Sequence, residues 1–271
     1  MSADPHLLLD RRDGVLVLTM NRPAKKNALS PEMLVRMAEA WRAFRDDRDT
    51  HVAILTGAGD TDFCAGGDLE LTMPLVTGAR KPETEWDHRL LADMTQFTDA
   101  ILRGFALYKP VIAAVNGSAL GGGTEMANAC DLRVAAENAV FGTPEAKVGL
   151  LPGGGSISRL PRQIPWAKAM EMLLIGDPFS AQDALAMGLV NYVVPHEQLM
   201  PKAMELAAKL AANGPLAVRK IKEGVVRGSG LPLDQALAIE NEVSAAVLTS
   251  KDAREGPRAF QERRKPRFTG E

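Results

Sequence analysis

The stretch Lys109-Pro110-Val111-Ile112-Ala113-Ala114-Val115-Asn116-Gly117-Ser118-Ala119-Leu120-Gly121-Gly122-Gly123-Thr124-Glu125 decides how the chain is read. Lys109-Pro110 stops any preceding helix, because proline has no N–H to donate and disfavours helical backbone in the residue before it. Val111 to Val115 is apolar at every position, the pattern of a strand covered on both faces. Gly121-Gly122-Gly123 then leads into Thr124-Glu125-Met126-Ala127, a loop opening a helix. The first N–H groups of a helix lack intrahelical partners and sit at the positive end of its dipole, so such a turn stabilises an anion. Glycines let a ligand approach that backbone closely. Glu125, in the first turn, stands beside the place the anion would take.

Outward from this stretch, Val15 to Met20, Val52 to Thr56, Leu132 to Ala135 and Tyr192 to Val194 read as further strands. Between the first two lies a helix, with Ser30 as N-cap, Pro31 at the first helical position and Glu32 in the first turn. Met33, Leu34, Met37, Trp41 and Phe44 recur at helical spacing and form one core-facing stripe. Over residues 69–90, Pro74, Gly78, Pro82 and mixed charges break any period, which predicts a mobile segment. From Leu90 the pattern predicts a helix to about Leu107. After Pro195 four helices are predicted, Leu199 to Leu210, Leu216 to Val226, Leu233 to Leu248 and Ala253 to Arg264. The reading is therefore a strand-and-helix core over 1–195 and a helical region over 196–271.

With 271 residues, 46% of them hydrophobic, the chain can bury a large core without staples. Its only cysteines, Cys64 and Cys130, lack C-x-x-C spacing and read as buried free thiols. A net charge of −2 gives no general attraction to phosphate backbones or anionic membranes, so neither nucleic acid nor membrane is an expected partner. Met1-Ser2-Ala3-Asp4-Pro5-His6 is no cationic start to an apolar run, and no apolar stretch has the length of a membrane span. A cytoplasmic location is the expectation. Walker, G-x-G-x-x-G and G-x-S-x-G patterns are absent. His6, His51, His88 and His196 show no ligand spacing, so no metal is expected.

Two more glycine-rich segments adjoin predicted strands: Phe63-Cys64-Ala65-Gly66-Gly67-Asp68, and Phe141-Gly142-Thr143-Pro144-Glu145 with Leu151-Pro152-Gly153-Gly154-Gly155 shortly after. Glu145 follows Glu125 by twenty residues, after a strand that could return the chain to the same sheet edge. Two glutamates beside an anion-stabilising turn suit acid–base chemistry, since one carboxylate raises the other's pKa. The residues alone leave a second reading open: Glu125 serving the helix dipole and Pro144-Glu145 a solvated turn.

These segments resemble, in order and over nearly the whole chain, the enoyl-CoA hydratase/isomerase (crotonase) superfamily. The resemblance rests on Asn21-Arg22-Pro23 with Asn27-Ala28-Leu29, Thr56-Gly57-Ala58-Gly59 with Phe63 to Asp68, Lys109 to Gly117 with Gly121 to Glu125, Cys130-Asp131-Leu132-Arg133, and Phe141 to Glu145. It implies an α/β fold, a spiral of ββα units with a helical C-terminal region that assembles trimers, often paired into hexamers. An acyl-CoA is the implied substrate, and no separate cofactor is implied. An oxyanion hole for the thioester carbonyl falls on the backbone N–H groups of Ala65 and Gly122. Glu125 and Glu145 match the two glutamates that handle water and the α-carbon in family hydratases.

The resemblance also implies CoA contacts around Lys26 and Ala28 and along Ala65, Gly66, Gly67, Asp68 and Leu69. The basic tail, Arg263, Arg264, Lys265 and Arg267 with Phe260 before it, reads either as a CoA contact, by Phe260 and Lys265 across a subunit boundary, or as a helix end whose cations complement its dipole. Two departures stand out. Thr124 replaces a common cysteine, and Gly153-Gly154-Gly155-Ser156-Ile157-Ser158 replaces a more usual Gly-Thr-Gln ending. Keeping both glutamates favours hydration of a 2-enoyl-CoA. A 3-enoyl to 2-enoyl isomerase, another acyl-CoA-processing member or a non-catalytic binder are the alternatives.

Overall fold

A computed structural model describes residues 4–271. The chain opens with a hairpin, β1 (Leu7–Arg12) and β2 (Val15–Met20), paired antiparallel across Asp13-Gly14. Both turn residues have positive φ, +51° and +74°, the geometry a two-residue hairpin turn demands. Helix α1 (Pro31–Asp46) follows, with the Ser30 hydroxyl accepting from Met33 N at 3.2 Å as predicted. Next come β3 (Val52–Gly57), β4 (Asp62–Cys64) and three short helices, α2 (Thr72–Val76), α3 (Glu85–Ala92) and α4 (Thr95–Ala100). The pattern then repeats with β5 (Val111–Val115), β6 (Ser118–Leu120) and α5 (Gly122–Ala129), and again with β7 (Leu132–Ala136) and β8 (Val140–Gly142). Helices α6 (Ser156–Gln163) and α7 (Trp166–Ile175), β9 (Phe179–Ser180), α8 (Ala181–Ala186) and β10 (Tyr192–Val194) complete the mixed part. The chain ends with α9 (Leu199–Ala211), α10 (Pro215–Gly228), α11 (Leu233–Leu248) and α12 (Asp252–Gln261).

The strands alternate between two sheets, which is what makes the path a spiral. One sheet has the order β1-β2-β3-β5-β7-β10 and the other β4-β6-β8-β9. From β2 onward the first sheet is parallel, and β4, β6 and β8 are parallel in the second.

The doubly apolar strands have a physical reason. Leu16, Leu18, Leu55, Ala113, Val115 and Ala135 join the core beneath Trp41 and Phe44 of α1. Their alternating neighbours Val17, Ile54, Ile112, Ala114 and Val134 pack on the other side against Leu199, Ala203, Leu206 and Ala207 of α9. Each central strand thus carries residues of two cores.

Two expectations are corrected. Residues 69–90 are not without structure: α2 and most of α3 lie there. Arg80 pairs with the buried Asp87 at 2.7 Å, and Thr84 and Asp87 close a capping box at the start of α3. The helix expected from Leu90 to Leu107 is interrupted. Asp93 ends α3, its carboxylate accepts from Thr95 N at 3.0 Å, and beyond α4 the positive φ of Leu102 and Gly104 turns the chain out of helix. Both cysteines are free and buried, as expected.

Candidate active site

The site forms where the segments leaving β4, β6 and β8 of the second sheet come together. The segment 65–68 runs beside 26–29: Ala65 N donates to Lys26 O at 3.0 Å, Leu29 N to Gly66 O at 2.8 Å and Asp68 N to Leu29 O at 3.2 Å. Asn27 fixes the inner strap, accepting from Arg22 N and donating to Ala58 O and Asp62 O.

This pairing corrects one expected donor. The N–H of Ala65 is committed to Lys26. Gly67 takes part in the bridge to Leu29 through its neighbours' groups, so its own N–H faces away from that strap, and no group among the described residues accepts it. On that side lies the N-terminus of α5. A Cβ on Gly66 would come 3.0 Å from Gly122 N, and one on Gly122 would come 3.4 Å from the Gly66 Cα. Only glycine lets the two backbones meet this closely. Gly122, the first residue of α5, has an N–H that no intrahelical carbonyl can take. No signal in the sequence singles out Gly67: a parallel bridge turns every second N–H outward, and its register with 26–29 decides which.

Thr124 shows why a threonine serves at its position. Its Oγ1 lies 2.6 Å from Ala119 O and accepts from Gly142 N at 3.0 Å, tying α5 to β6 and β8. Glu125, next along, is 4% exposed and accepts from Ser156 N at 3.1 Å. A Cβ on Gly154 would stand 2.3 Å from Glu125 Oε2, so the 154–156 turn wraps the carboxylate with no side chain between. Burial pushes Glu125 above the ordinary carboxylate range, against the N–H groups of Ser156, Gly154 and Gly155 and the charge of Arg159. Arg159 clamps the same turn from outside, donating to Gly154 O at 3.3 Å and Leu102 O at 2.6 Å.

Glu145 lies in the 3-10 turn Pro144–Val148 that leaves β8, with the preceding Thr143 anchored to Met172 O at 2.9 Å. Its Oε1 comes within 3.0 Å of where a Cβ on Gly121 would be. Its Oε2 is buried without a partner. Burial pushes Glu145 up, its own backbone N–H pulls it partly back, and the charge of Glu125 adds to the rise, leaving it at about 7. A buried carboxyl at the 154–156 turn and a half-buried one beside Gly121 thus flank the glycine turn at the start of α5. That arrangement can polarise a carbonyl and move protons beside it.

The other expected residues divide. Asp68 is structural: Arg22 pairs with it at 2.7 Å and also holds Ala28 O, while Asp68 accepts from Glu70 N and Leu71 N. Burial opposes the charge of Asp68, but these partners outweigh it and hold the carboxyl below its usual range. Lys26, in left-handed backbone, and Leu69, 71% exposed, stand at the rim of the 65–68 segment. Phe260, 86% exposed, lies on α12 and Lys265 beyond it. No hydrogen bond or ion pair of either residue reaches the glycine turns within one chain. Among the described residues no cluster suits a metal ion.

A parallel spiral of paired strands, with a glycine-lined amide pocket flanked by two carboxyls, is an architecture of the crotonase type. The comparisons agree. The family model described as enoyl-CoA hydratase/isomerase matches residues 10–271, and the chain belongs to that family, the crotonase superfamily. The chain is 44% identical over 268 residues to the enoyl-CoA hydratase EchA19 of Mycobacterium tuberculosis, covering 99% of this chain and 98% of that one. It is 40% identical over 262 residues to the (E)-benzylidenesuccinyl-CoA hydratase of Thauera aromatica, covering 97% and 98%. The solved structure of an enoyl-CoA hydratase/isomerase from Mycobacterium abscessus superposes with a TM-score of 0.87 at 45% identity, covering 98% of this chain and all of that one.

Proposed function

We propose that the chain adds water across the 2,3 double bond of a 2-enoyl-CoA to give a 3-hydroxyacyl-CoA. The observation that carries this reading is the pair of neighbouring carboxyls, Glu125 buried against the 154–156 turn and Glu145 half-buried beside Gly121, close enough for the charge of one to raise the other. The N–H groups of Gly67 and Gly122 receive the thioester oxygen, which becomes an enolate oxygen as the β-carbon is attacked. One such donor is worth about 3–4 kcal/mol in the transition state. Glu125, ionised, takes a proton from water as the oxygen of that water bonds to the β-carbon. Glu145, poised near neutrality, delivers a proton to the α-carbon as the enolate collapses. The amide-rich setting of Glu125 favours its charged form over that of Glu145, which divides base from acid.

CoA lies along Lys26, Ala28 and the 65–69 segment, held largely through backbone. Phe260 and Lys265 contribute from a neighbouring copy, in a trimer or pair of trimers. The exposed apolar residues Ile221, Val225, Leu233 and Leu248 on α10 and α11 support such an assembly.

Loss of the enoyl-thioester absorbance of crotonyl-CoA tests the reading. Rapid loss is expected from the native chain, with kcat reduced by at least about 100-fold in Glu125→Gln and Glu145→Gln variants that still bind CoA. Near-native hydration by Glu145→Gln overturns the two-carboxyl assignment. No loss with short, medium or long 2-enoyl-CoAs overturns hydration itself and turns attention to 3-enoyl isomerisation.

A further inference from the structure

The ending Gly153-Gly154-Gly155-Ser156-Ile157-Ser158 departs from the family pattern, and the structure shows what Ser156 does there. Ser156 is wholly buried as the first residue of α6, and no side chain caps this helix. Its N–H holds Glu125 Oε1 at 3.1 Å. Its Oγ accepts from Asn128 Nδ2 at 3.0 Å. Asn128 is 1% exposed and sits three residues after Glu125 on α5, so the two share a helix face.

The contacts therefore close a ring: Glu125, one turn of α5, Asn128, Ser156, and back to Glu125. A second layer braces it. Gln163 Nε2 donates to Asn128 O at 2.8 Å, and Arg133 Nη1 holds Gln163 Oε1 at 3.0 Å. A buried asparagine on a helix interior is costly unless its amide is used. Here its Nδ2 is used on the residue that positions a carboxylate, while its Oδ1 is left without a partner.

We infer that Asn128 and Ser156 are positioning residues for the reaction, their side-chain hydrogen bond fixing the turn whose amides orient Glu125. This rests on the hydration reading proposed above. An amide that drifts from the carboxylate loses a bond favouring the charged form, and a small displacement of a reacting group is costly in rate.

The test uses the full-length protein with crotonyl-CoA and four variants: Asn128→Ala, Ser156→Ala, their double, and Glu125→Gln. Both single variants are expected to lower kcat about 10- to 100-fold with KM within about twofold of native. The acid limb of the kcat profile should move to higher pH, because Glu125 ionises less readily. The double variant should lose no more than the worse single, as for two ends of one hydrogen bond. If Asn128→Ala does not fold, Ser156→Ala alone carries the test, since it keeps the N–H and removes only the oxygen. Folded single variants with native kcat and pH profile overturn the inference, as do losses that multiply in the double. Glu125→Gln separates the two levels. An inactive Glu125→Gln beside fully active single variants sinks only the positioning role, whereas an active one sinks the hydration reading beneath it.

Discussion

An alanine at position 154 would place its Cβ 2.3 Å from Glu125 Oε2 and 2.8 Å from Ile101 Cδ1, closer than real contacts, so the Glu125 side chain must give way. Gly154→Ala should therefore displace the carboxylate and lower kcat about 100-fold while leaving CoA affinity near native, measured by kinetics beside CoA titration. Glu145 gives a residue-scale prediction with a definite sign. Its folded pKa, about 7, lies above the ordinary value of 4.5, so the folded state holds the proton more tightly. Stability is then lost as pH rises from the unfolded value through the folded one. Glu145→Gln removes that loss. It should stabilise the chain by about 1–2 kcal/mol at pH 8 relative to native, discounted for partial exposure, with little gain at pH 4. Thermal unfolding at the two pH values checks it; an equal effect at both contradicts the shift. Below neutrality the same carboxyl keeps its proton, so hydration should slow above about pH 7 as Glu145 loses it.

At the scale of elements, the segment 69–90 is where sequence and structure part most. Pro74, Gly78 and Pro82 do break helical period, but the order there comes from side chains far apart in the pattern. Arg80 reaches Asp87, which also accepts from Glu83 N and Thr84 N. A pairing of this kind has no periodic trace. Asp87→Ala should cost about 3 kcal/mol, because it leaves the half-buried Arg80 without its carboxylate, and should open this segment to limited proteolysis before the rest. Arg80 holds the Asp87 carboxyl well below the usual range, so this contribution is present above the unfolded pKa and is lost as pH falls through the lower folded one.

The strands β2, β3 and β5 were legible because burial on both faces leaves a long apolar run, and β7 and β10 from shorter runs containing valine. The three-residue strands β4, β6 and β8 were not, being too short to show alternation. β1 was missed because five of its six residues are exposed, although Asp13-Gly14 was a hairpin signal. For the site, Glu125, Glu145 and Gly122 were readable from motif and helix-start logic. The second donor was not: which of Ala65 and Gly67 has its N–H turned outward depends on register with 26–29, a property of the fold.

For the whole molecule, α10 and α11 leave Ile221 and Val225 each 67% exposed, Leu233 74% and Leu248 72%. Apolar area of this kind on paired helices is the face that the proposed assembly would cover. Light scattering should give three or six times the mass of one chain, and Ile221→Glu with Val225→Glu should shift it toward the monomer. If Phe260 and Lys265 serve a neighbour's CoA, that variant should also raise KM for crotonyl-CoA at least several-fold. A monomeric native protein with normal KM contradicts the assembly reading. Among the described residues no helix is long and apolar enough to cross a membrane.

The Arg22–Asp68 pair has a bearing on how such a chain could be re-engineered. Asp68 is tied back to the 22–28 strap and forward to the start of the next segment, so it stands as a fixed post between Gly67 and everything that follows. Residues 72–92 hang from that post as a cassette. A chimera carrying the corresponding cassette of a relative should keep the parent's rate of crotonyl-CoA hydration, because the graft is joined downstream of Gly67 and leaves the Arg22–Asp68 tie intact.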